Sequence, residues 1–272
     1  VASLPEAAGR RPLGLWATTR SQALARLEHF LDHELERFGR YEDAMTSSSW
    51  SLAHSMLSPY LNLGLLLPGE VCDAVEARYR AGEVPINSAE GFIRQVIGWR
   101  EYVWGLYWLW PDMAQANELD HRRPLPPAFT GEATTRMHCL GDVLDGLEDR
   151  AWIHHIPRLM VLSNLSNLVG IEPQAVLDWM SDRYIDAAEW VMVPNVMGMG
   201  LWADGGRMAS KPYVSGGAYI DRMSDYCGSC PYDPRQRTGE DACPFTTLYW
   251  DFLARHEDDL RGNHRMSRPL AG

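Results

Sequence analysis

Hydrophobic side chains recur at three- and four-residue steps along most of the chain, the spacing of one buried face of an α-helix. The first such stretch begins at Ser21, a residue type that often caps helix starts, and stops at Gly39, a residue type that often ends helices. Its apolar positions are Leu24, Leu27, Phe30, Leu31, Leu35 and Phe38. The pattern therefore predicts a helix between Ser21 and Gly39.

Further segments show the same periodicity, whereas alternation of apolar and polar residues, the mark of a strand, never persists. The predicted helices are Pro59 to Leu67, Pro68 to Arg80, Ser88 to Trp110, Gly141 to Asp149, Ile156 to Gly170, Pro173 to Asp182 and Phe245 to Leu260. Residues 191–243 are rich in glycine and proline and predict a long loop. We expect an all-α chain, with residues 1–20 as a linker or N-terminal strap and residues 21–272 as one domain.

The composition narrows the class of protein. The chain has 272 residues, of which 46% are hydrophobic and 22% charged, values that exclude a disordered or collagen-like chain. It has no apolar run near the ~18 residues that a membrane span needs and no signal-peptide pattern, so we expect a cytoplasmic protein. The net charge of −11 argues against broad nucleic-acid binding, because phosphate contacts dominate that affinity, although a local basic patch stays compatible with it.

Aromatic residues are unusually frequent. The chain contains eleven Trp and eleven Tyr. One interpretation is a helical core rich in aromatic side chains. The other is an aromatic cavity around a flat cofactor.

Four of the five cysteines suggest a metal site, which is more common than a disulfide framework in an intracellular chain. Cys227 and Cys230 form a C-x2-C pair, and Cys243 precedes a proline, a familiar ending for a cluster-binding loop. The fourth ligand is Cys139 or Cys72. Cys139 follows a loop, whereas Cys72 lies in a helical apolar pattern typical of a core residue. The spacing leaves an iron–sulfur cluster and zinc equally open.

Five short motifs resemble segments of one family, in order along the chain. They are SMLSPYLNLG at 55–64, GWREY at 98–102, HIPRLM at 155–160, EWVMVPN at 189–195 and RMSDYC at 222–227. Together with the cysteine set they resemble the iron–sulfur bacterial cryptochromes and photolyases, also called prokaryotic (6-4) photolyases. The resemblance covers residues 21–272.

The resemblance implies a photolyase/cryptochrome-type helical domain that binds FAD, with a [4Fe-4S] cluster in the loop-rich C-terminal region. The implied cluster ligands are Cys139, Cys227, Cys230 and Cys243. The family's N-terminal antenna domain has no counterpart in this chain. This departure affects antenna-assisted light capture and leaves the flavin chemistry in place.

The resemblance also implies which residues contact FAD. Ser55, Leu57 and Ser58 match the segment that contacts the diphosphate, Arg100 would reach the same group, and Tyr41 would close the pocket. Hydroxyls and backbone N–H groups at a helix start suit an anion. The alternatives are simple N-capping for the serines and a surface ion pair for the arginine.

Four further residues complete the implied flavin site. Glu189 and Asn195 match the acid and the amide that hydrogen-bond the isoalloxazine edge, and Trp152 and Arg158 are the other cofactor-binding candidates. An amide carbonyl near flavin N5 accepts the N–H that forms there on reduction. From spacing alone, a solvated glutamate and a turn-forming asparagine are the simpler interpretation.

The implied lesion site centres on His154 and His155. Repair of a (6-4) photoproduct needs a proton donor beside the light-driven electron, and histidine titrates near neutrality. Cyclobutane-dimer enzymes usually carry Asn at the position of His155, so this pair favours (6-4) repair over two structural histidines. Trp99 and Trp152 match positions that meet the flipped base. Neighbouring candidates are Leu159, Met199 and Tyr213.

The family's aromatic relay for flavin photoreduction is altered in this sequence. Trp179 matches a relay position, but Met180 and Ala188 stand where Tyr is usual, and Phe129 lies near a usual Trp. Met and Phe are poor carriers of an electron hole. We therefore expect slow photoreduction, or a route through Trp190, Trp202 or Tyr184.

The sequence thus predicts a light-dependent enzyme that repairs (6-4) photoproducts in UV-damaged DNA by electron transfer from FADH⁻, acting as a monomer. A cryptochrome-like photoreceptor with the same flavin and cluster is the alternative from a different class. A zinc-stabilised helical binding module is a third possibility.

Overall fold

The computed structural model describes residues 9–10 and 14–271, and these residues are helical. Two isolated β-bridges, Arg123–Ile171 and Asp233–Ala242, occur in place of strands among the described residues. The all-α prediction is confirmed. Of the predicted strap, residues 1–8 and 11–13 lie outside the described residues, and the division into a strap and one domain stays a prediction.

The first half of the chain forms six α-helices. They are α1 (Arg20–His33), α2 (Leu35–Tyr41), α3 (Ser58–Asn62), α4 (Pro68–Arg80), α5 (Ile86–Ile93) and α6 (Arg100–Leu109), and a π-helical turn, Arg94–Trp99, joins α5 to α6. The predicted helix from Ser88 to Trp110 is therefore helical throughout but changes type in its middle. The predicted helix from Pro59 to Leu67 already ends at Asn62.

Both predicted ends of the first helix are wrong, for local reasons. Thr19, not Ser21, caps α1, because its side chain accepts a hydrogen bond from the backbone N–H of Gln22. Gly39 lies inside α2 and does not end it. A Cβ atom at Gly39 would approach the backbone of Asn87 to 2.7 Å, so this glycine permits close packing of α2 against α5.

The second half contains ten further α-helices, most of them short. They are α7 (Pro127–Thr130), α8 (His138–Arg150), α9 (His155–Pro157), α10 (Asn164–Val169), α11 (Pro173–Arg183), α12 (Glu189–Val193), α13 (Gly217–Met223), α14 (Pro244–Arg255), α15 (Glu257–Leu260) and α16 (Ser267–Leu270). π-Helical turns at Arg158–Ser163 and Pro194–Gly200 continue α9 and α12. None of the described helices is long and apolar enough to cross a membrane.

The predicted loop at 191–243 is wrong at its start, where α12 and the following π-turn form a helical segment. The glycines that suggested a loop serve close packing instead. A Cβ at Gly198 would lie 2.7 Å from Met208 Sδ, and a Cβ at Gly200 would lie 2.8 Å from Ser163 Oγ. Helix α13 also falls within the predicted loop.

Two hydrophobic cores hold these helices together. The first packs α1, α2, α4 and α5 around Phe30, Phe38 and Phe92, whose ring centroids lie 4.6 to 6.4 Å apart. The second, larger core belongs to the later helices and includes the fully buried Phe245 and Phe252. Side chains from both cores line one cavity, which places that cavity where the two halves of the chain meet.

All three π-helical turns contribute side chains to this cavity. Trp99 comes from the first turn, Arg158 and Leu159 from the second, and Asn195 and Met199 from the third. A π-turn adds a residue to the helical repeat and rotates the side chains that follow it, and such turns are frequent at functional sites. These side chains therefore enter the cavity lining from three local departures from α-helical geometry.

Candidate functional site

The cavity between the two cores has a volume of about 530 Å³ and opens to solvent. Ligand sites in proteins are typically clefts of this size with mainly apolar walls and a few placed polar groups. Its apolar wall includes Phe38, Phe92, Met180, Met192 and Val196. Its polar groups include an ion pair, a cluster of three histidines and a tryptophan–asparagine contact.

The ion pair joins Arg158 to Asp186, which is buried. Two nitrogens of the guanidinium donate to the two carboxylate oxygens at 2.9 Å each, a bidentate arrangement. Burial is the largest influence on the pKa of Arg158 and lowers it, but the charge of Asp186, its hydrogen bonds and the nearby Tyr184 together outweigh burial, so the pKa is raised and the guanidinium stays charged. Ser58 Oγ donates to Asp186 at 2.6 Å, and Trp152 Nε1 donates to Ser58 Oγ at 3.3 Å. The first residue of α3 is thereby tied to the ion pair.

The histidine cluster consists of His54, His154 and His155. The rings of His54 and His154 stack with centroids 4.1 Å apart, and the His155 ring lies edge-on to His54 at 5.4 Å. His54 and His154 are buried, and burial is the main cause that lowers the pKa of each, to about 3 for His54. Both rings are therefore neutral at pH 7.

His155 differs from its two neighbours because its side chain is 47% exposed. Its Nε2 lies 3.8 Å from Asp43 Oδ1, and the contact with His155 lowers the pKa of the Asp43 carboxyl. Of the three rings, His155 is the one that is both exposed and within reach of a carboxylate.

The segment that carries His54 is strained. Leu52 and Met56 on either side of it have φ angles of 47° and 60°, in the left-handed region that non-glycine residues avoid. Such residues cost about 1 to 3 kcal/mol each and cluster at functional sites. His54 Nδ1 contacts the carbonyl of Ser51 at 3.1 Å, which fixes the ring within this segment.

A third polar contact lies across the cavity. Trp99 Nε1 donates to Asn195 Oδ1 at 3.1 Å, while Asn195 Nδ2 donates to the carbonyl of Val191 at 2.8 Å. Because both ends of the amide are bonded, the orientation of Asn195 is set by the protein. The contact joins the first π-turn to the third.

Most of the residues that the sequence singles out come together in this cavity. Those that line it are Ser55, Leu57, Ser58, Trp99, Trp152, His154, His155, Arg158, Leu159, Asn195 and Met199. They lie on four separate stretches of the chain, from residue 55 to residue 199. Their convergence is a property of the fold, since no spacing in the sequence requires it.

Arg100 and Glu189 lie outside the cavity lining. Arg100 Nη1 donates to Asn62 Oδ1 at 2.8 Å, and its guanidinium covers the ring of Trp190 at 4.7 Å, so it braces α6 against α3. Glu189 is exposed and accepts a hydrogen bond of 2.9 Å from the hydroxyl of Tyr107.

Tyr41, Tyr213 and Trp179 also lie outside the lining. Tyr41 is the last residue of α2, directly before two lining residues, and Tyr213 is 37% exposed. Trp179 is buried, and its Nε1 donates to the carbonyl of Phe129 at 2.9 Å. The roles assigned to these three side chains from the sequence stay predictions.

The four predicted cysteine ligands face one small pocket, which they share with Tyr226, Phe245 and Gly217. Cys139 lies in the first turn of α8, Cys227 and Cys230 belong to the segment after α13, and Cys243 caps α14. A Cβ at Gly217 would lie 2.8 Å from Cys243 Sγ, so only glycine fits there. Cys72 lies apart, in the first hydrophobic core, as its pattern predicts.

Burial raises the pKa of the Cys139 thiol, and the other three cysteines raise it further. Burial likewise raises the pKa of Cys227, to about 12. Without a cation these thiols are therefore neutral at pH 7. Metal coordination reverses this preference, because a coordinated thiol is deprotonated.

The chain is similar to known proteins over nearly its whole length. It is 48% identical over 257 residues, 94% of this chain, to the (6-4) photolyase of Agrobacterium fabrum (strain C58 / ATCC 33970). The chain is therefore related to a photolyase over nearly all of its own length. It spans about half, 50%, of the length of that photolyase. A shorter match, 31% over 107 residues, relates the chain to an uncharacterized protein of Acanthamoeba polyphaga mimivirus, of which it covers 80%.

Solved structures of the family show the same fold. A bacterial class III photolyase from Agrobacterium tumefaciens superimposes with a TM-score of 0.65 at 19% identity, over 91% of this chain and 57% of that one. The cryptochrome of Synechocystis sp. PCC6803 does so with a TM-score of 0.57 at 20% identity, over 72% and 42% of the two chains. No protein-family model matches the chain.

The similarity to photolyases and cryptochromes implies FAD, and the cavity fits such a ligand. Three buried polar atoms of its wall, His54 Nε2, His154 Nδ1 and Tyr184 Oη, have no hydrogen-bond partner in the described part of the chain. Buried polar groups normally have partners, so these atoms indicate a wall built to meet a polar ligand.

Sequence reasoning missed two residues of this cavity. Asp186 has no motif around it, and only the fold reveals it as the partner of Arg158. His54 stands directly before the predicted flavin segment at Ser55, so a lone histidine beside a binding motif was the available signal.

Proposed function

We propose that this chain binds FAD in the cavity and catalyses light-dependent repair of (6-4) photoproducts in UV-damaged DNA. The observation that carries this proposal is the His154–His155 pair in the wall of a cavity of about 530 Å³. A photoreceptor has no chemical need for a proton donor at this place. The similarity to a (6-4) photolyase supports the same reaction.

Residues of this chain would hold the cofactor at three places. Ser55 and Leu57 lie at the start of α3, where hydroxyl and backbone N–H groups suit a diphosphate. Arg158, fixed by Asp186, presents a charged donor, and Asn195 presents an amide at the opposite wall. When bound, the flavin supplies a light-driven electron that a protein side chain cannot supply.

The histidine pair would manage the proton that the repair reaction moves. His155, exposed and next to Asp43, holds a proton at Nε2 and donates it to the lesion. His154, buried and neutral, keeps its position through the stacked ring of His54. The two histidines thus divide the work between proton transfer and orientation.

We propose further that Cys139, Cys227, Cys230 and Cys243 bind a [4Fe-4S] cluster. A single tetrahedral zinc, with Zn–S distances of about 2.3 Å, requires sulfur atoms about 3.8 Å apart. The four cysteines line one pocket and come from three separate stretches of the chain, and Cys243 precedes a proline, as in cluster-binding loops. The similarity to a (6-4) photolyase supports a cluster of four irons over zinc.

The first experiment is a visible spectrum of protein purified without oxygen, with flavin, iron and acid-labile sulfide measured on the same sample. We expect flavin bands over a broad brown absorption, with about four irons per chain as a cubane requires. A colourless protein that contains zinc would contradict both cofactor assignments and leave a helical binding module.

The second experiment replaces the proton donor. His155→Asn should lower the rate of (6-4) repair under blue light by about 10²- to 10⁴-fold, the usual contribution of a general acid, with unchanged flavin content. His264→Asn, at an exposed position remote from the cavity lining, is the matched control. Repair at the unaltered rate in His155→Asn would show that this side chain is not the donor.

A further inference from the structure

We propose that Trp152 and Trp16 form the route by which electrons reach the cavity when the flavin is photoreduced. This assignment rests on the proposed function, because it requires a flavin in the cavity. It differs from the routes expected from the sequence, none of which includes either residue as an electron carrier.

An electron-transfer route that begins at Trp179 finds no further redox-active aromatic ring in contact with it among the described residues. The aromatic ring in contact with it among the described residues is Phe129, at a centroid distance of 5.0 Å. Phenylalanine is much harder to oxidise than tryptophan or tyrosine, so a hole on Trp179 cannot pass through it. The adjacent Met180 lines the cavity itself and leads no further outward.

Trp152 offers a different way out of the cavity. It is buried, lines the cavity and is held by its hydrogen bond to Ser58. Its ring has two indole neighbours, Trp16 with centroids 6.1 Å apart and Trp50 with centroids 5.8 Å apart. Both neighbours are partly exposed, so a single step links the cavity wall to solvent.

Local charges favour Trp16 over Trp50 as the second electron carrier. The guanidinium of Arg150 covers the ring of Trp50 at 4.9 Å, and its Nε has no hydrogen-bond partner in the described chain. A positive charge against the ring disfavours a second positive charge on the indole. Trp16 instead donates its Nε1–H to the carbonyl of Arg150 at 2.9 Å, and the partial negative charge of that oxygen stabilises a positive charge on the oxidised indole.

The first carrier is protected from the same penalty. Arg158 lies 5.9 Å from the ring of Trp152, but its charge is balanced by the bidentate pair with Asp186. An oxidised Trp152 therefore meets a nearly neutral neighbour. Trp190 has no such advantage, because the guanidinium of Arg100 lies over its ring at 4.7 Å. Trp190 also does not line the cavity.

The electron balance is simple. On illumination one electron leaves the Trp152 indole for the flavin, so the flavin is reduced by one electron and Trp152 becomes a radical cation. Trp16 returns an electron to Trp152 and becomes a radical cation that keeps its Nε1 proton in the hydrogen bond to the Arg150 carbonyl. A soluble thiolate then donates one electron to Trp16 and becomes a thiyl radical, and the thiyl radicals from two such turnovers join as one disulfide.

The test measures blue-light photoreduction of the flavin in the purified holoprotein with a soluble thiol, and it detects the tryptophan radical by transient absorption. Trp16→Phe should lose most of the photoreduction rate, and Trp50→Phe, its matched control at the same distance, should keep it. Trp179→Phe should also keep it. Repair by chemically pre-reduced Trp16→Phe should equal that of the unaltered protein, because repair itself does not use the route.

Each other outcome overturns a defined statement. Unchanged photoreduction in Trp16→Phe, or loss of it in Trp179→Phe, overturns the route while the flavin assignment stands. Equal losses in Trp16→Phe and Trp50→Phe overturn the charge argument that selects Trp16. A protein that binds no flavin overturns the proposed function and the route together.

Discussion

The cavity and the cysteine site are the two candidate functional sites of this chain, and they differ in how their polar side chains are stabilised. In the cavity the protein already satisfies its main charge, because Arg158 and Asp186 pair with each other and Ser58 donates to the carboxylate. In the cysteine site the thiols gain no such partner, and burial raises the pKa of Cys139 and Cys227.

The cavity can therefore form before its ligand binds, whereas the cysteine site depends on its metal to form. The cavity residues are held by protein–protein contacts, so the helices can pack before a cofactor enters. The four thiols, of which those of Cys139 and Cys243 are buried, lie on α8, at the start of α14 and on the segment between α13 and α14, and within the described chain they have no comparable contact with one another. Where ligands meet only through a metal, binding and folding become one event.

The largest expected effect follows from this dependence. Cys243→Ser removes the thiolate that starts α14 and should abolish iron incorporation. The C-terminal helices then lose their link to α8, so we expect insoluble protein or a free energy of unfolding lowered by several kcal/mol, as for other metal-dependent folds. Iron content and urea unfolding of the purified variant measure both effects.

Cys72→Ala is the matched control, because this thiol is also buried but belongs to the first core. Removing one buried sulfur there should leave iron content unchanged and lower the free energy of unfolding by about 1 to 2 kcal/mol. If Cys243→Ser keeps its iron, the contrast between the two sites disappears.

The next effect tests the claim that the cavity is satisfied by its own residues. Asp186→Asn leaves the Arg158 guanidinium charged and buried without a counter-ion, which should cost about 3 to 5 kcal/mol of folding stability. Flavin content should fall with it, since Arg158 and Ser58 both lose their fixed partner. Urea unfolding and the flavin-to-protein absorbance ratio provide the two measurements.

Glu76→Gln is the control for Asp186→Asn. It breaks the exposed pair with Arg80, whose side chains are 75% and 49% accessible, and exposed pairs contribute about 0 to 1 kcal/mol. A similar small loss in both variants would mean that the Arg158–Asp186 pair is not a structural element of the cavity.

The sequence was informative about helices and about residue types, and weak wherever geometry departs from the regular α-helix. Periodicity located α4 and α11 almost to the residue, because an amphipathic helix repeats its apolar side. It could not locate the three π-turns, which keep a helical pattern and change only the direction of side chains. Gly198 and Gly200 suggested a loop because close packing and loop formation use the same residue.

Prediction of the site had a similar limit. Of the site residues that the resemblance implies, His155, Ser58 and Asn195 line one cavity. Arg100, which it also implies, lies outside the lining, and its guanidinium contacts Asn62 and Trp190. Asp186 carried no signal, since a lone aspartate before two alanines resembles any surface residue. Two residues that pair in space but lie far apart along the chain cannot be recognised from the spacing of residues in one sequence.

The smallest effect concerns acid sensitivity of the cavity wall. Burial lowers the pKa of His54 to about 3 in the folded protein, while the unfolded chain has the ordinary value of 6.5. A lowered folded pKa means that the unfolded state binds the proton more readily, so stability is full above pH 6.5 and falls as the pH drops toward 3. Between pH 6.5 and 5 this group alone accounts for about 2 kcal/mol.

His54→Phe keeps a flat ring against His154 but removes the titrating group, so its free energy of unfolding should fall less between pH 6.5 and 5 than that of the unaltered protein. His264→Gln, which changes an exposed histidine, should keep the original slope. Urea unfolding at both pH values measures the slopes. Identical slopes in all three proteins would mean that His54 is protonated within the fold, and the cavity wall would then carry a charge that its ligand has to meet.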